Sequence, residues 1–149
     1  MQAKKDQRAE ATRKKLAGAS RCVIEYIGSL VVFAGTKKER QLAAEYMGFL
    51  FAQLDGPVVV DWQDRPDCTA VDVPCDCVGY ITGARRVALG KVEAEFGVVM
   101  FFLDTHMKKR DTTNRNPDES EKLLIFGSTR ARRGAELLQR ARRRREGTS

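Results

Sequence analysis

Residues 71–104 read VDVP, CDCVGYITGARR, VALGKVEAEFG and VVMFFLD, and this stretch decides the fold. Val71 and Val73 alternate with Asp72, which is the period of a half-buried strand, and Pro74 ends that strand because it has no amide N–H to donate. The rest of the stretch predicts a short helix, a tight basic loop, a second helix and a buried strand.

The two helices are marked by the spacing of apolar residues and by glycine. Val78 and Ile81 lie three residues apart, so they share one face of a short helix that ends at Gly83. The second helix ends at Gly97 and has an amphipathic pattern. Its apolar face consists of Leu89, Val92 and Phe96. The run at 98–103 is short, apolar and rich in β-branched and aromatic residues, which favours a strand over a buried helix.

The same order of elements resembles a K-homology (KH) domain of type I. In that family a strand, a helix, a Gly-x-x-Gly loop, a second helix, two strands joined by a variable loop and a third helix follow one another. The spacing from Gly79 to Leu89 follows this pattern, and Arg86 stands where the second loop glycine belongs. The resemblance implies an α+β fold, βααββα, with a three-stranded antiparallel sheet backed by three helices.

The resemblance also implies binding of single-stranded RNA or DNA. The loop of the family brings backbone N–H groups close to phosphates and clamps about four nucleotides. A side chain at Arg86 either blocks this approach or replaces a backbone contact with a guanidinium contact. The nucleic-acid-binding residues carried over are Gly79, Tyr80, Ile81, Gly83, Ala84, Arg85 and Arg86, together with Lys108, Lys109 and Arg110 of the variable loop.

These assignments have plainer alternatives. The loop at 83–86 also fits an ordinary surface turn between two helices. For Ile81 and Leu89 the spacing favours ordinary core residues over the floor of a base-binding groove. The run from Arg140 to Arg145 fits a phosphate-binding arm, a nuclear-localisation patch or a solvated helix end.

The distribution of charge concentrates attraction to phosphate at the two ends of the chain. The net charge is +7, of which residues 1–20 carry +4 and residues 130–149 carry +6, whereas residues 21–129 carry −3. Long-range attraction to a polyanion therefore comes mostly from the ends, and the central part is mildly acidic.

Several other functional classes are not supported by the sequence. No apolar run approaches the roughly 20 residues that cross a bilayer, and the first residues lack a signal-peptide pattern, so we expect an intracellular protein, in nucleus or cytoplasm, without membrane contact. Cys68, Cys75, Cys77 and His106 do not have the spacing of a zinc site. No nucleophile–histidine motif or phosphate-binding glycine loop occurs. The prediction is a protein without catalysis, cofactor or metal.

The first third of the chain predicts a helix, a hairpin and a second helix. Residues 3–17 are rich in helix formers and Gly18 is the expected stop. Two strand-like runs flank Gly28-Ser29, which indicates a tight hairpin. Thr36 and Glu39 have the spacing of a capping box. The helix that follows has an expected core face of Ala43, Met47, Leu50 and Leu54, and Asp55-Gly56-Pro57 ends it.

The two parts of the chain repeat one order of elements: helix, strand, strand, helix. Matching Phe33 with Phe126, and Gly18 with Gly97, places the difference in length in the long polar connection at 105–121. We therefore expect a partial KH-like unit at 1–55, a linker or extra strand at 56–68, a KH domain at 69–141 and a basic tail at 142–149. The partial unit is either truncated or a degenerate copy that packs on the second, and residues 58–62 either fill its open sheet edge or extend the first strand of the second unit.

The expected function is binding of single-stranded RNA, or single-stranded DNA, without catalysis. The rival hypothesis is a scaffold module of a ribonucleoprotein, in which degenerate KH units contact protein partners and the loop touches no RNA. The paired arginines of the loop favour binding, whereas the acidic centre and the missing glycine favour the scaffold.

Overall fold

The computed structural model describes residues 2–56, 58–103 and 119–147. Within them the chain is an α+β fold of five helices and two small antiparallel sheets, as the α+β expectation requires. In chain order the elements are α1 (Gln2–Ser20), β1 (Val23–Ile27), β2 (Leu30–Ala34), α2 (Lys37–Asp55), β3 (Cys68–Pro74), α3 (Val78–Thr82), α4 (Val87–Phe96), β4 (Val99–Leu103), β5 (Ser120–Phe126) and α5 (Thr129–Gly147), with single 3₁₀ turns at Cys75–Cys77 and Ala84–Arg86.

The local signals at the start of the chain act as predicted. Strands β1 and β2 form a hairpin, and Gly28 has φ 62° at the first of its two turn residues, where a type II′ turn places glycine. At the start of α2, the Thr36 hydroxyl accepts a hydrogen bond from the Glu39 N–H, and the Glu39 carboxylate accepts one from the Thr36 N–H. The capping box is therefore confirmed.

The prediction that α1 ends at Gly18 is wrong. The helix continues to Ser20 and ends because Arg21 adopts a left-handed conformation, φ 65°, with its N–H donating to the Ala17 carbonyl at 2.9 Å. Gly18 serves a packing role instead, since a Cβ at this position would lie 3.0 Å from the Cα of Gly97. Helices α1 and α4 thus approach each other closely at these two glycines.

The three-stranded sheet has the order β3-β5-β4, with β5 antiparallel to both neighbours. Side chains alternate along the strands, so the sheet contributes to two separate core clusters. One contains Val73, Met100 and Ile125 and includes residues of α3, α4 and α5; the other contains residues of β4 and β5 together with residues of α1, β1 and α2. The first part of the chain therefore packs on the sheet of the second.

The predicted core face of α2 is confirmed for Ala43, which is fully buried, and for Met47 and Leu50, which are partly buried against the same core cluster. It is wrong for Leu54, which is 81% exposed. Tyr46, which was not predicted, is fully buried because its ring lies against Phe126, with 5.5 Å between the ring centroids. Of the two alternatives for residues 56–68, a linker or an extra strand, the strand at 58–62 does not form. This segment forms no regular structure, and Val58 is buried in the core next to α2.

The boundaries in the second part agree with the sequence pattern. Helix α3 ends at Gly83 and α4 ends at Gly97, which has φ 66°. The last helix begins at Thr129 and buries Ala135. It then runs without a break through position 141, where the sequence had suggested the start of a basic tail.

Candidate nucleic-acid interface

The candidate site is the loop at 83–86, between the end of α3 and the start of α4. Gly83 has φ 74°, and its N–H donates to the Gly79 carbonyl at 2.9 Å, which ends α3. A Cβ on Gly83 would lie 2.7 Å from the Cβ of Ala88 and 2.9 Å from its backbone N. Only glycine fits at this position, both for its backbone angles and because the loop packs directly on the first turn of α4.

Arg85 and Arg86 both adopt the left-handed conformation, with φ 53° and 66°. This conformation costs about 1–2 kcal/mol for a residue with a Cβ. The backbone at Arg86 therefore has the angles that glycine adopts easily, although an arginine is present. Some other interaction must hold this residue in place.

That interaction is a buried carboxylate. The side chain of Glu93, in α4, is only 1% exposed. One of its oxygens accepts a hydrogen bond from Arg86 Nη1 at 3.0 Å, and the other accepts the N–H of Met100 at 3.0 Å. Lys15 Nζ, from α1, lies 3.3 Å from the same carboxylate. Arg86 also donates to the Met100 carbonyl. The guanidinium of Arg86 thus points inward and ties the loop to β4.

Arg85 is the exposed arginine of the loop, and no contact of its side chain is found among the described residues. It lies two residues before Val87, the first residue of α4, and no side chain caps that helix at Arg86. The Val87 N–H donates to the Ala84 carbonyl, so this amide is already paired within the loop. The positive end of the helix dipole still favours an anion here. Arg85 and the start of α4 therefore place positive charge at one point on the surface.

The arginine-rich end of α5 packs against α3, close to this loop. The Arg142 guanidinium lies 5.0 Å from the ring centroid of Tyr80 and donates to the carbonyls of Tyr80 and Ile81 at 2.9 and 3.3 Å. Arg143 donates to the Asp72 carbonyl at 2.8 Å. Arg142 thus satisfies carbonyl groups at the end of α3, and Arg143 satisfies one in β3. This part of the arginine run is therefore packed on the fold and is not a solvated end.

The structure separates the sequence-predicted site residues into four groups. Gly79, Tyr80, Ala84 and Arg85 lie at the surface, with Tyr80 42% exposed. Gly83 and Arg86 are half-buried, and both hold the loop in place. Ile81 and Leu89 are buried at 0% and 1% exposure, so the interpretation as core residues is confirmed for both. Ile81 cannot border a base groove while it is buried in this way. Lys108, Lys109 and Arg110 lie outside the described residues.

A second polar cluster was not anticipated from the sequence. The Tyr46 hydroxyl donates to Asp67 Oδ2 at 2.6 Å, and Arg65 donates to both oxygens of the same carboxylate and pairs with Glu45. Burial and the hydrogen bond to Asp67 raise the pKa of Tyr46. Burial alone would raise the pKa of Asp67, but hydrogen bonds from Arg65 and Tyr46 outweigh it, so this pKa is lowered. The cluster joins α2 to the start of β3.

Among the described residues, no group of His, Cys, Asp and Glu side chains is arranged to hold a metal ion. None of the helices within the described ranges combines the length and apolar character needed to span a bilayer. Comparisons of the chain with protein-family models, curated proteins and solved structures found no match.

Proposed function

We propose that this protein binds single-stranded RNA, or single-stranded DNA, without catalysing a reaction, through a type I KH-like unit at 69–141. The order β3, α3, loop, α4, β4, β5, α5 supports this, because it is the order of elements in the family's signature. The partial unit at 1–55 supports the fold of the second unit from behind the sheet. Intracellular RNA, in nucleus or cytoplasm, is the expected target, and no cofactor is needed.

The observation that carries the proposal is the exposed Arg85 beside the uncapped start of α4. A phosphate at this point would meet the Arg85 guanidinium and the positive end of the α4 helix dipole. Gly83 contributes indirectly, because the absence of a side chain lets the loop pack on Ala88 of α4. Tyr80, which carries Arg142 over one face of its ring, is 42% exposed next to the loop, and a base would stack on its ring. Arg86 has a different role from the one expected: it holds the loop through Glu93.

The test is fluorescence anisotropy of a labelled pool of single-stranded RNA, titrated with the full chain. Shortening the chain before Arg142 would remove contacts to α3, so point variants are required. Arg85→Glu is compared with Arg40→Glu, an exposed arginine of α2 that undergoes the same change of charge. We expect Arg85→Glu to weaken binding about tenfold or more and to reduce the salt slope by about 1, the effect of one lost phosphate contact.

Two results would contradict the proposal. Equal weakening by both variants would mean that the ends of the chain bind any polyanion and that the loop has no special role. No binding of either RNA or DNA at low salt, where phosphate contacts are strongest, would exclude the interface altogether. Circular dichroism of each variant establishes that its fold is intact.

A second candidate function is a protein-interaction module of a ribonucleoprotein. It is favoured by one observation, namely that the β1–β2 hairpin exposes several large apolar side chains. Val23, Ile27 and Leu30 are each more than half exposed. Exposed apolar side chains grouped in this way are typical of a surface that another protein covers.

A further inference from the structure

The β1–β2 hairpin has an edge without a partner strand. Strand β2 pairs with β1 on one side, and within the described residues no strand pairs with its other side. In the second part of the chain the corresponding strand, β5, is flanked on both sides, by β3 and by β4. A free strand edge presents unpaired N–H and C=O groups to solvent.

Strand β2 lacks the charges and prolines that often protect an edge strand. Strand β2 reads Leu30-Val31-Val32-Phe33-Ala34 and contains no charged residue and no proline. Natural proteins protect edge strands with charges, proline or bulges, because an unprotected edge pairs readily with another chain. The face of the hairpin directed away from the core is also apolar: it carries Val23, Ile27, Leu30 and Val32, with Glu25 as its one charged residue.

The register of the hairpin determines which groups are free. Ile27 and Leu30 close a two-residue turn, so this pair exchanges hydrogen bonds, and every second pair after it does the same. The N–H and C=O groups of Leu30 and Val32 therefore point toward β1. Those of Val31 and Phe33 point outward, to the free edge.

We propose that the occupant of this edge is the β2 strand of a second copy of the chain, paired antiparallel across a two-fold axis centred on Val32. In this register Val31 of each copy lies opposite Phe33 of the other, so the outward groups on both strands pair. The outer faces of the two hairpins then join into one apolar surface.

The distribution of charge is compatible with this partner. Strand β2 is uncharged, and Glu25 lies on β1, one strand further from the axis. The two copies of Glu25 are then separated by three strand spacings, about 14 Å, which is longer than the Debye length at physiological salt. The two copies of Glu25 therefore repel each other only weakly across the paired strands.

The strength of the association follows from the size of the interface. Five residue pairs span only about 17 Å along the strands. A contact of this length buries less surface than a standard interface, which covers about 800 Å² per partner. We therefore expect a reversible dimer with a dissociation constant on the order of 1–100 μM. This inference does not rest on the proposed RNA binding.

The test is sedimentation velocity of the full chain, without nucleic acid, from about 1 to about 200 μM, a range that brackets the expected constant. The first variant is Val32→Lys. Its partner across the hairpin is Glu25, so the new charge is paired within the monomer and the fold is retained. In the dimer, two lysines would face each other at the axis. The control is Val23→Lys, on the same outer face but on β1, away from the edge.

We expect the parent chain and Val23→Lys to dimerise and Val32→Lys to dimerise at least tenfold more weakly. A parent chain that stays monomeric at the highest concentration would overturn the inference. A Val32→Lys variant that dimerises as well as the parent would do the same, and so would selective loss of the dimer in Val23→Lys. Hydrogen exchange gives a second measurement on the unmodified chain: the amides of Val31 and Phe33 should become protected as concentration rises, and unchanged protection would refute the pairing.

Discussion

Replacement of Arg86 by glycine would restore the family's Gly-x-x-Gly pattern, yet we expect it to destabilise the protein. The substitution relieves a left-handed backbone, which is worth about 1–2 kcal/mol. It also removes one of the two cations paired with the buried Glu93, and breaking a buried ion pair costs about 3–5 kcal/mol. The lower end applies, because Lys15 remains and Arg86 is 37% exposed. The net loss is about 1–2 kcal/mol.

Arg85→Gly is the matched control for this prediction. It relieves a backbone of the same kind, φ 53°, at an exposed residue that has no ion pair among the described residues. We expect it to stabilise the fold by about 1 kcal/mol. Urea denaturation, followed by the fluorescence of the single tryptophan, Trp62, measures both variants from their midpoints and slopes.

A double-mutant cycle separates the ion pair from the backbone effect. In a Glu93→Gln background the carboxylate charge is absent, so Arg86→Gly should destabilise the protein less than in the parent chain, and the remaining penalty reflects the bond from Arg86 to the Met100 carbonyl. The reasoning would be refuted if Arg86→Gly were as stable as Arg85→Gly in the parent chain, because the loop would then not depend on Glu93. An unchanged penalty in the Glu93→Gln background would refute it as well.

Two further predictions concern the core. Tyr46→Phe removes a hydrogen bond to the charged Asp67 and should cost about 1.5–3 kcal/mol in urea denaturation at pH 7. Because the pKa of Tyr46 is raised above its ordinary value, its contribution to stability is complete below about pH 10 and is lost as pH rises further. Tyr46→Phe should therefore weaken this loss of stability at alkaline pH. If stability depended on pH identically in the variant and the parent chain, the assignment would be contradicted. Gly134→Ala places a Cβ 2.6 Å from the Phe96 ring and should lower the free energy of unfolding by about 1–3 kcal/mol. The control is Gly48→Ala, where the new Cβ has no atom within 4 Å, and it should raise the free energy of unfolding by about 0.5–1 kcal/mol. Equal thermal unfolding midpoints for the two variants would show that the contact between Gly134 and Phe96 is not tight.

Elements that depend on local signals could be predicted from the sequence. The capping box of α2, the glycine that ends α4 and the hairpin turn at Gly28 each act within four or five residues, so a single sequence contains all the information they need. The burial of Tyr46 on α2 could not be predicted in this way, because its ring packs on Phe126, 80 positions away in the chain.

The sequence contains one indication of the role of Glu93: a charged residue lies on the apolar face of α4. Leu89, Val92 and Phe96 define the buried face of α4, and the helical spacing of 3.6 places Glu93 on that face, whereas Glu95 lies outside it. A carboxylate on a buried face requires partners, because an unpaired buried charge is costly. The sequence does not reveal that these partners are Arg86 and Lys15, since Lys15 is 78 residues away in the chain.

This contact bears on the role of the first part of the chain. Lys15 belongs to α1, yet its ammonium contacts the carboxylate that holds the loop at 83–86. Helix α2 covers the other face of the three-stranded sheet through Tyr46. Because both contacts would be lost together, removing residues 1–55 would expose a sheet face and leave Arg86 as the one cation paired with Glu93 among the described residues. The sheet and the loop of the second part therefore both depend on the first part, whose β2 edge is the one we propose for pairing with a second copy.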